Sequence, residues 1–146
     1  MSAATLSDRT DFGSVGVMAE PKRRKRVLVV DDDDDLRELL ALIVTRAGFD
    51  AETAWDGKQA VEMIEARPPD LVVLDLMLPR YGGFEILRRL QQGPLSTLPI
   101  VVVTGRYNDP ATAGLVRAES NVVALLPKPI DTDGLTALLQ ERLVDH

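Results

Sequence analysis

The sequence contains no cysteine, which excludes disulfides and thiolate metal sites. No apolar run approaches the roughly 18–20 residues that cross a bilayer. The N-terminus lacks the basic start and apolar stretch of a secretory signal. Net positive charge is also missing. The formal charge is −6 and the pI about 4.8, which argues against binding nucleic acid through the whole surface. The same balance suits a divalent cation or basic protein patches. A cytoplasmic protein with no membrane insertion is expected. What is present is ordinary for one globular domain: 146 residues, 45% of them hydrophobic and 27% charged.

Residues 1–25 read as a flexible tail with a basic cluster, and KRRKR (Lys22–Arg26) is a solvated approach that runs into the first strand. From residue 26 to 146 a single domain is expected, in which short apolar runs alternate with amphipathic helical patterns. The strand candidates are RVLVVD (Arg26–Asp31), DAETA (Asp50–Ala54), LVVLD (Leu71–Asp75), PIVVVT (Pro99–Thr104) and VVALL (Val122–Leu126). The first, third and fourth are nearly continuous apolar, as parallel strands covered on both faces are. The second is weaker and suits a sheet edge.

Helical stripes lie between the strands. Leu36, Leu39, Leu40, Ile43 and Val44 make the first, with Asp34 or Asp35 able to cap it and Gly48 to stop it. Gly57, Ala60, Val61 and Ile64 make the second, and Phe84, Leu87 and Leu90 the third. Asp109–Pro110 opens a fourth with a sparse apolar face. Leu135, Leu138, Leu139 and Leu143 mark the fifth. A fivefold β-α alternation means a doubly wound α/β fold, a five-stranded parallel sheet with helices on both faces. Ligands of such sheets bind at the carboxyl ends of the strands.

Those ends carry the chemistry. The first strand ends in Asp31 and Asp32, the third in Asp75 and the fourth in Thr104, and Lys128–Pro129 follows the fifth. A parallel sheet brings all of them to one edge. Unit charges about 4 Å apart repel by about 4 kcal/mol at an effective dielectric near 20, so three carboxylates ask for a cation. All-oxygen donors select a hard ion, Mg²⁺ over zinc or copper. A lysine supplies a point charge for phosphate, and a threonine hydroxyl can donate to a phosphoryl oxygen. Asp75 stands alone before the Gly-containing loop LMLPRYGGF and is the carboxylate best placed to accept a phosphoryl group.

With these residues in view, the sequence resembles the receiver domain of two-component response regulators. VLVVDDD with LRELL, AWDGKQAVEMI, DLVVLDLMLPRYGGFEILRRL, LPIVVVTG and LLPKPI carry the likeness, in order, across about Arg26 to Leu143. The resemblance implies a flavodoxin-like (βα)5 fold with strand order 2-1-3-4-5. It implies Asp75 as the phosphorylated aspartate and Asp31 and Asp32 as the acidic pair, with Asp32 the more direct Mg²⁺ ligand. The backbone carbonyl of Met77 would complete the protein's share of the metal shell. Thr104 and Lys128 would contact the phosphoryl oxygens, and the bond before Pro129 would be cis. Asp33, Asp34 and Asp35 are left to form the loop and cap the first helix, where acidic side chains meet the positive dipole end.

The implied function is a signalling receiver of the stand-alone, chemotaxis type, not an enzyme beyond its own phosphorylation and dephosphorylation. A histidine kinase or histidine phosphotransfer protein would donate to Asp75. The surface of the fourth helix, fifth strand and fifth helix would address a downstream protein, as a monomer or a phosphorylation-dependent homodimer. Little sequence follows Leu143, so no output domain is expected. The sole histidine, His146, lacks a packed helical face and is a poor phosphotransfer residue.

Departures from the family pattern are specific. Leu125 stands where an aromatic is usual, three residues before Lys128, and Ser120–Asn121 replace a common Gly-Ala pair. Arg106 follows Thr104 by two residues and is either a tuning cation or an exposed loop residue. Alternative readings are a phosphate-insensitive scaffold, an aspartyl-phosphate phosphatase acting through Asp31, and nucleic-acid binding through KRRKR.

Overall fold

The computed structural model describes residues 24–78, 82–105 and 109–144. Most of the tail, Arg106 and His146 lie outside the described residues. The strands are β1 (Arg26–Val30), β2 (Asp50–Ala54), β3 (Leu71–Asp75), β4 (Ile100–Thr104) and β5 (Val122–Pro127). The helices are α1 (Asp34–Arg46), α2 (Gly57–Ala66), α3 (Gly83–Gln91), α4 (Pro110–Arg117) and α5 (Thr132–Leu143). All strand pairs are parallel, and the order is β2-β1-β3-β4-β5. Right-handed crossovers then require α1, which leads outward to β2, and α2, which leads back past β1 to β3, to cover opposite faces.

Two apolar layers result. Alternate residues Val27, Val29, Val73, Val101 and Val103 pack against Leu40, Ile43 and Val44 of α1 and Leu135, Leu139 and Leu143 of α5. The other set, Leu28, Val30, Val72, Leu74, Ile100 and Val102, meets Ala60, Val61 and Ile64 of α2, Ile86, Leu87 and Leu90 of α3 and Val116 of α4. Each large side chain fully buried in this way contributes about 1.5–3 kcal/mol. The period-two alternation of β1, β3 and β4 is hidden in the sequence because both faces are apolar. DAETA forms the edge strand, as its mixed pattern suggests.

Local chemistry fixes the helix ends. Asp33, rather than Asp34 or Asp35, caps α1: its side chain accepts from the amides of Asp35 and Leu36. Asp34 and Asp35 fall inside the first turn, where negative charge still suits the dipole. Gly48 follows the C-cap with φ 105°, a left-handed conformation that glycine adopts without strain. The Asp56 carboxylate accepts from the Gln59 amide, and Gln59 Oε1 accepts from the Trp55 amide, a reciprocal start to α2. Asp109 caps α4, with Pro110 in its first turn.

Three expectations are corrected. Leu39 counted toward the apolar stripe of α1 but is 42% exposed, because α1 turns Leu40, Ile43 and Val44 to the sheet. The third helix buries Ile86, which the Phe84–Leu87–Leu90 reading left out. KRRKR is not wholly a solvated approach. Arg26 is buried, its guanidinium forked onto both carboxylate oxygens of Glu52 at 2.9 Å and onto the carbonyls of Pro68 and Arg67. Arg24 pairs with Asp50 nearby. Side-chain hydrogen bonding to Arg26 holds the Glu52 carboxyl below its ordinary value. Replacing Glu52 by alanine strands a buried cation, and we expect a loss of about 2 kcal/mol in urea unfolding at neutral pH.

Asn121 is a second buried polar residue, 4% exposed at the mouth of β5. Its backbone carbonyl joins the ladder by accepting from Ile100. Neither polar atom of its side chain has a hydrogen-bond partner among the described residues. A buried amide without partners costs about 1–3 kcal/mol. Asn121→Ala is therefore expected to raise the thermal midpoint, corresponding to a gain of about 1 kcal/mol, as measured by calorimetry.

Candidate functional site

The site is assembled where the parallel strands end. In register, Val30 of β1 lies beside Leu74 of β3, so the next residues, Asp31 and Asp75, are neighbours. Asp75 in turn lies beside Val103, one residue before Thr104. Thr104 pairs with Pro127, and the Lys128 amide donates to the Thr104 carbonyl at 3.0 Å. One row across four strands thus delivers an acid, an acid, a hydroxyl and an amine to the same edge.

Carboxylate oxygens of Asp31, Asp32 and Asp75 lie within 4.8 Å of one another. Lys128 Nζ sits 3.6 Å from Asp31 Oδ2 and 3.4 Å from Asp75 Oδ2. Asp31 is fully buried and Asp75 is 4% exposed, whereas Asp32 faces solvent. The remaining oxygens are held by the backbone. Asp31 Oδ1 accepts from the Asp33 amide at 2.9 Å, and Asp75 Oδ1 from the Met77 amide at 3.1 Å. That second bond turns the chain so that Met77 lies beside the cluster, with its side chain exposed. The Lys128–Pro129 peptide bond is cis.

Gly83 completes the frame. Its amide donates to the Leu76 carbonyl at 3.0 Å, and a Cβ there would lie 2.7 Å from both the Leu76 Cα and its carbonyl oxygen. Only glycine permits α3 to start so close to the residue that follows Asp75.

Burial is the largest influence on both inner acids. It pushes the Asp31 carboxyl above its ordinary value, against the Asp33 amide and Lys128, which favour the anion. Burial also raises Asp75, with repulsion from Asp31 adding to it; the Met77 amide and Lys128 oppose the rise. One lysine thus stands beside three carboxylates. Asp31 Oδ2 is buried with no hydrogen-bond partner among the described residues. Three hard oxygen donors beside one lysine, among them a buried Asp31 oxygen with no hydrogen bond, fit a divalent cation of the Mg²⁺ type.

Residues 27–140 match the model of the response regulator receiver domain. The chain belongs to the response regulator receiver family. This receiver is 38% identical over 108 residues to the response regulator MprA of Mycobacterium tuberculosis, a match covering 74% of the chain and 46% of that protein. It is 35% identical over 105 residues to the transcriptional regulatory protein AfsQ1 of Streptomyces coelicolor, covering 72% and 45%. The receiver thus spans about half the length of the curated relatives it matches. Among solved structures, Vibrio cholerae chemotaxis protein CheY4 superposes with a TM-score of 0.74 at 27% identity, covering 83% of this chain and 100% of that one. A CheY-like receiver domain protein from Methanospirillum hungatei gives 0.75 at 25% identity, covering 83% and 94%.

Within the receiver, the predicted residues Asp31, Asp32, Asp75 and Lys128 come together, and Thr104 lies on the same edge, fully buried. Asp33 to Asp35 stay out of the cluster. Sequence reading missed Arg37, whose Nη1 donates to the Asp31 carbonyl at 2.9 Å. The signal was there as a basic residue one turn inside an acidic helix start, but the same spacing equally suits an exposed ion pair.

Raised carboxyl values carry a definite sign. The native state binds protons more tightly than the unfolded state, so these groups cost stability as pH rises above the unfolded value near 4. Metal-free Asp75→Asn should melt a few degrees above the wild type at pH 7. That difference should shrink as pH falls and the wild-type acid takes up its proton; melts in EDTA from neutral to acid pH measure it.

Proposed function

We propose that this receiver takes a phosphoryl group onto Asp75 from a histidine kinase or a histidine phosphotransfer protein. The observation that carries the reading is the placement of Lys128 within 4 Å of both Asp31 and Asp75, beside a three-carboxylate cluster. Asp75 is recessed and tethered at one oxygen by the Met77 amide, which fixes the direction its carboxylate presents. An oxygen of Asp75 attacks phosphorus in line, a P–O bond forms, and the P–N bond to the donor imidazole breaks. Asp31, Asp32 and the Met77 carbonyl, with Asp75, would hold Mg²⁺, which supplies charge neutralisation for the transferring group. Lys128 exchanges its carboxylate neighbours for a phosphoryl oxygen. Thr104, on the adjacent strand, donates its hydroxyl to another.

The new bonds to Thr104 and Lys128 favour one arrangement of α4, β5 and α5, and a downstream protein reads it. Support comes from exposed Leu115 on α4 and an apolar groove of about 390 Å³ between β5 and α5, lined by Ala124, Leu126, Leu135 and Leu138. Leu125 is buried against the layer that includes Val102 and Val116, so this switch works without an aromatic swing. That residue is also what favours the second reading, a phosphate-insensitive scaffold. We assign residues 26–146 to the receiver unit and 1–25 to a tail, and place the protein in the cytoplasm. No described helix is long and apolar enough to cross a membrane.

Incubation with a small phosphodonor and Mg²⁺, followed by mass spectrometry, is expected to locate one hydroxylamine-labile phosphate on Asp75. Uptake should vanish in Asp75→Asn and fall at least about a hundredfold in Lys128→Ala. Labile phosphate on Asp75→Asn would end the assignment, and a wild type that takes up none would favour the scaffold.

A further inference from the structure

Two peptide units flank Asp32, and each is held by a side chain. The peptide that precedes it carries the Asp31 carbonyl, which accepts from Arg37 Nη1 at 2.9 Å. The peptide that follows carries the Asp33 amide, which donates to Asp31 Oδ1 at 2.9 Å. Upstream, the Asp31 amide is still in the sheet, donating to the Ala54 carbonyl at 3.1 Å. Downstream, the Asp33 carbonyl accepts from the Arg37 amide as α1 begins. The ladder ends between these points. β1 stops at Val30 and β2 at Ala54, so the Asp31 carbonyl takes its donor from a side chain.

Arg37 suits that position for two reasons. Its side chain is only 17% exposed and reaches back to the Asp31 carbonyl. Its second nitrogen pairs with Asp34, so the planar fork grips one backbone group and one carboxylate at fixed separation. We infer that Arg37 is a positioning residue: by fixing the Asp31–Asp32 peptide plane it aims the Asp32 carboxylate at the divalent-cation site. This rests on the receiver reading of Asp32 and adds a residue that touches neither metal nor phosphate.

Charge and position pull in opposite directions, which makes the idea decidable. Removing a cation beside acidic ligands strengthens cation binding electrostatically. Removing a clamp that orients a ligand weakens it, typically by about 10–100-fold. Arg37→Met keeps the apolar stem and deletes every donor. Mg²⁺ affinity by calorimetry should weaken about tenfold, and Asp33 amide exchange in EDTA should quicken by a similar factor. Arg37→Lys keeps the charge and one donor, and is expected to fall between wild type and Arg37→Met in both measurements. Should Arg37→Met fail to fold, Arg37→Lys alone decides by the same readouts. Unchanged or tighter Mg²⁺ binding with unchanged Asp33 exchange overturns the proposal. Failure of the receiver reading looks different. Wild type would then bind no Mg²⁺, or Asp32→Asn would bind it as well as wild type, while the exchange rate would still report whether Arg37 orders the loop.

Discussion

Mutual repulsion among three carboxylates is the constraint around which this molecule is arranged. Asp31 and Asp75 are removed from water and set beside Asp32, with one lysine shared between the inner two. Such an arrangement is unfavourable in an isolated protein and is relieved when a divalent cation offsets the negative charge. The site is therefore poised. Its free energy depends on the charge that is bound there.

The scaffold that enforces the repulsion is stiff. β1, β3 and β4 are buried along their whole length and paired in register. Their ends cannot spread to relieve the carboxylates without breaking ladder bonds and opening two apolar layers. The less rigid parts lie at the periphery. β2 carries polar residues on an edge, and β5 joins β4 through a register shift at Ile100–Val101. The stiff centre holds the acidic row, and β5 lies at the far edge of the sheet, beside β4.

Much of this was legible in the sequence because it depends on order and composition. Continuous apolar runs gave β1, β3 and β4, and the alternation with helical stripes gave the doubly wound sheet. Once the strands are parallel, Asp31, Asp32, Asp75, Thr104 and Lys128 must share an edge. Features that depend on side-chain direction were less accessible. Asp33, Asp34 and Asp35 are all possible caps in the sequence, and only backbone geometry selects Asp33. A basic run reads as solvated until Glu52 and two carbonyls of the α2–β3 connection close around Arg26. Leu39 and Leu40 are equivalent in a helical stripe, yet the rotation of α1 buries one and exposes the other. Arg37 is the same kind of case, since its partner is a backbone carbonyl, which no pattern of residue types reveals.

Trp55 follows β2, one residue past Ala54, whose carbonyl bonds the Asp31 amide. Its own amide is pinned by Gln59, while the residue is 56% exposed. It is the sole tryptophan in the chain. Ultraviolet emission excited at the red edge thus originates from one location, on a fixed backbone, one strand away from the acidic row. The protein carries an optical label of its own, and quenching or spectral displacement of that emission reads out a partner or a charge arriving at this rim without any chemical tagging.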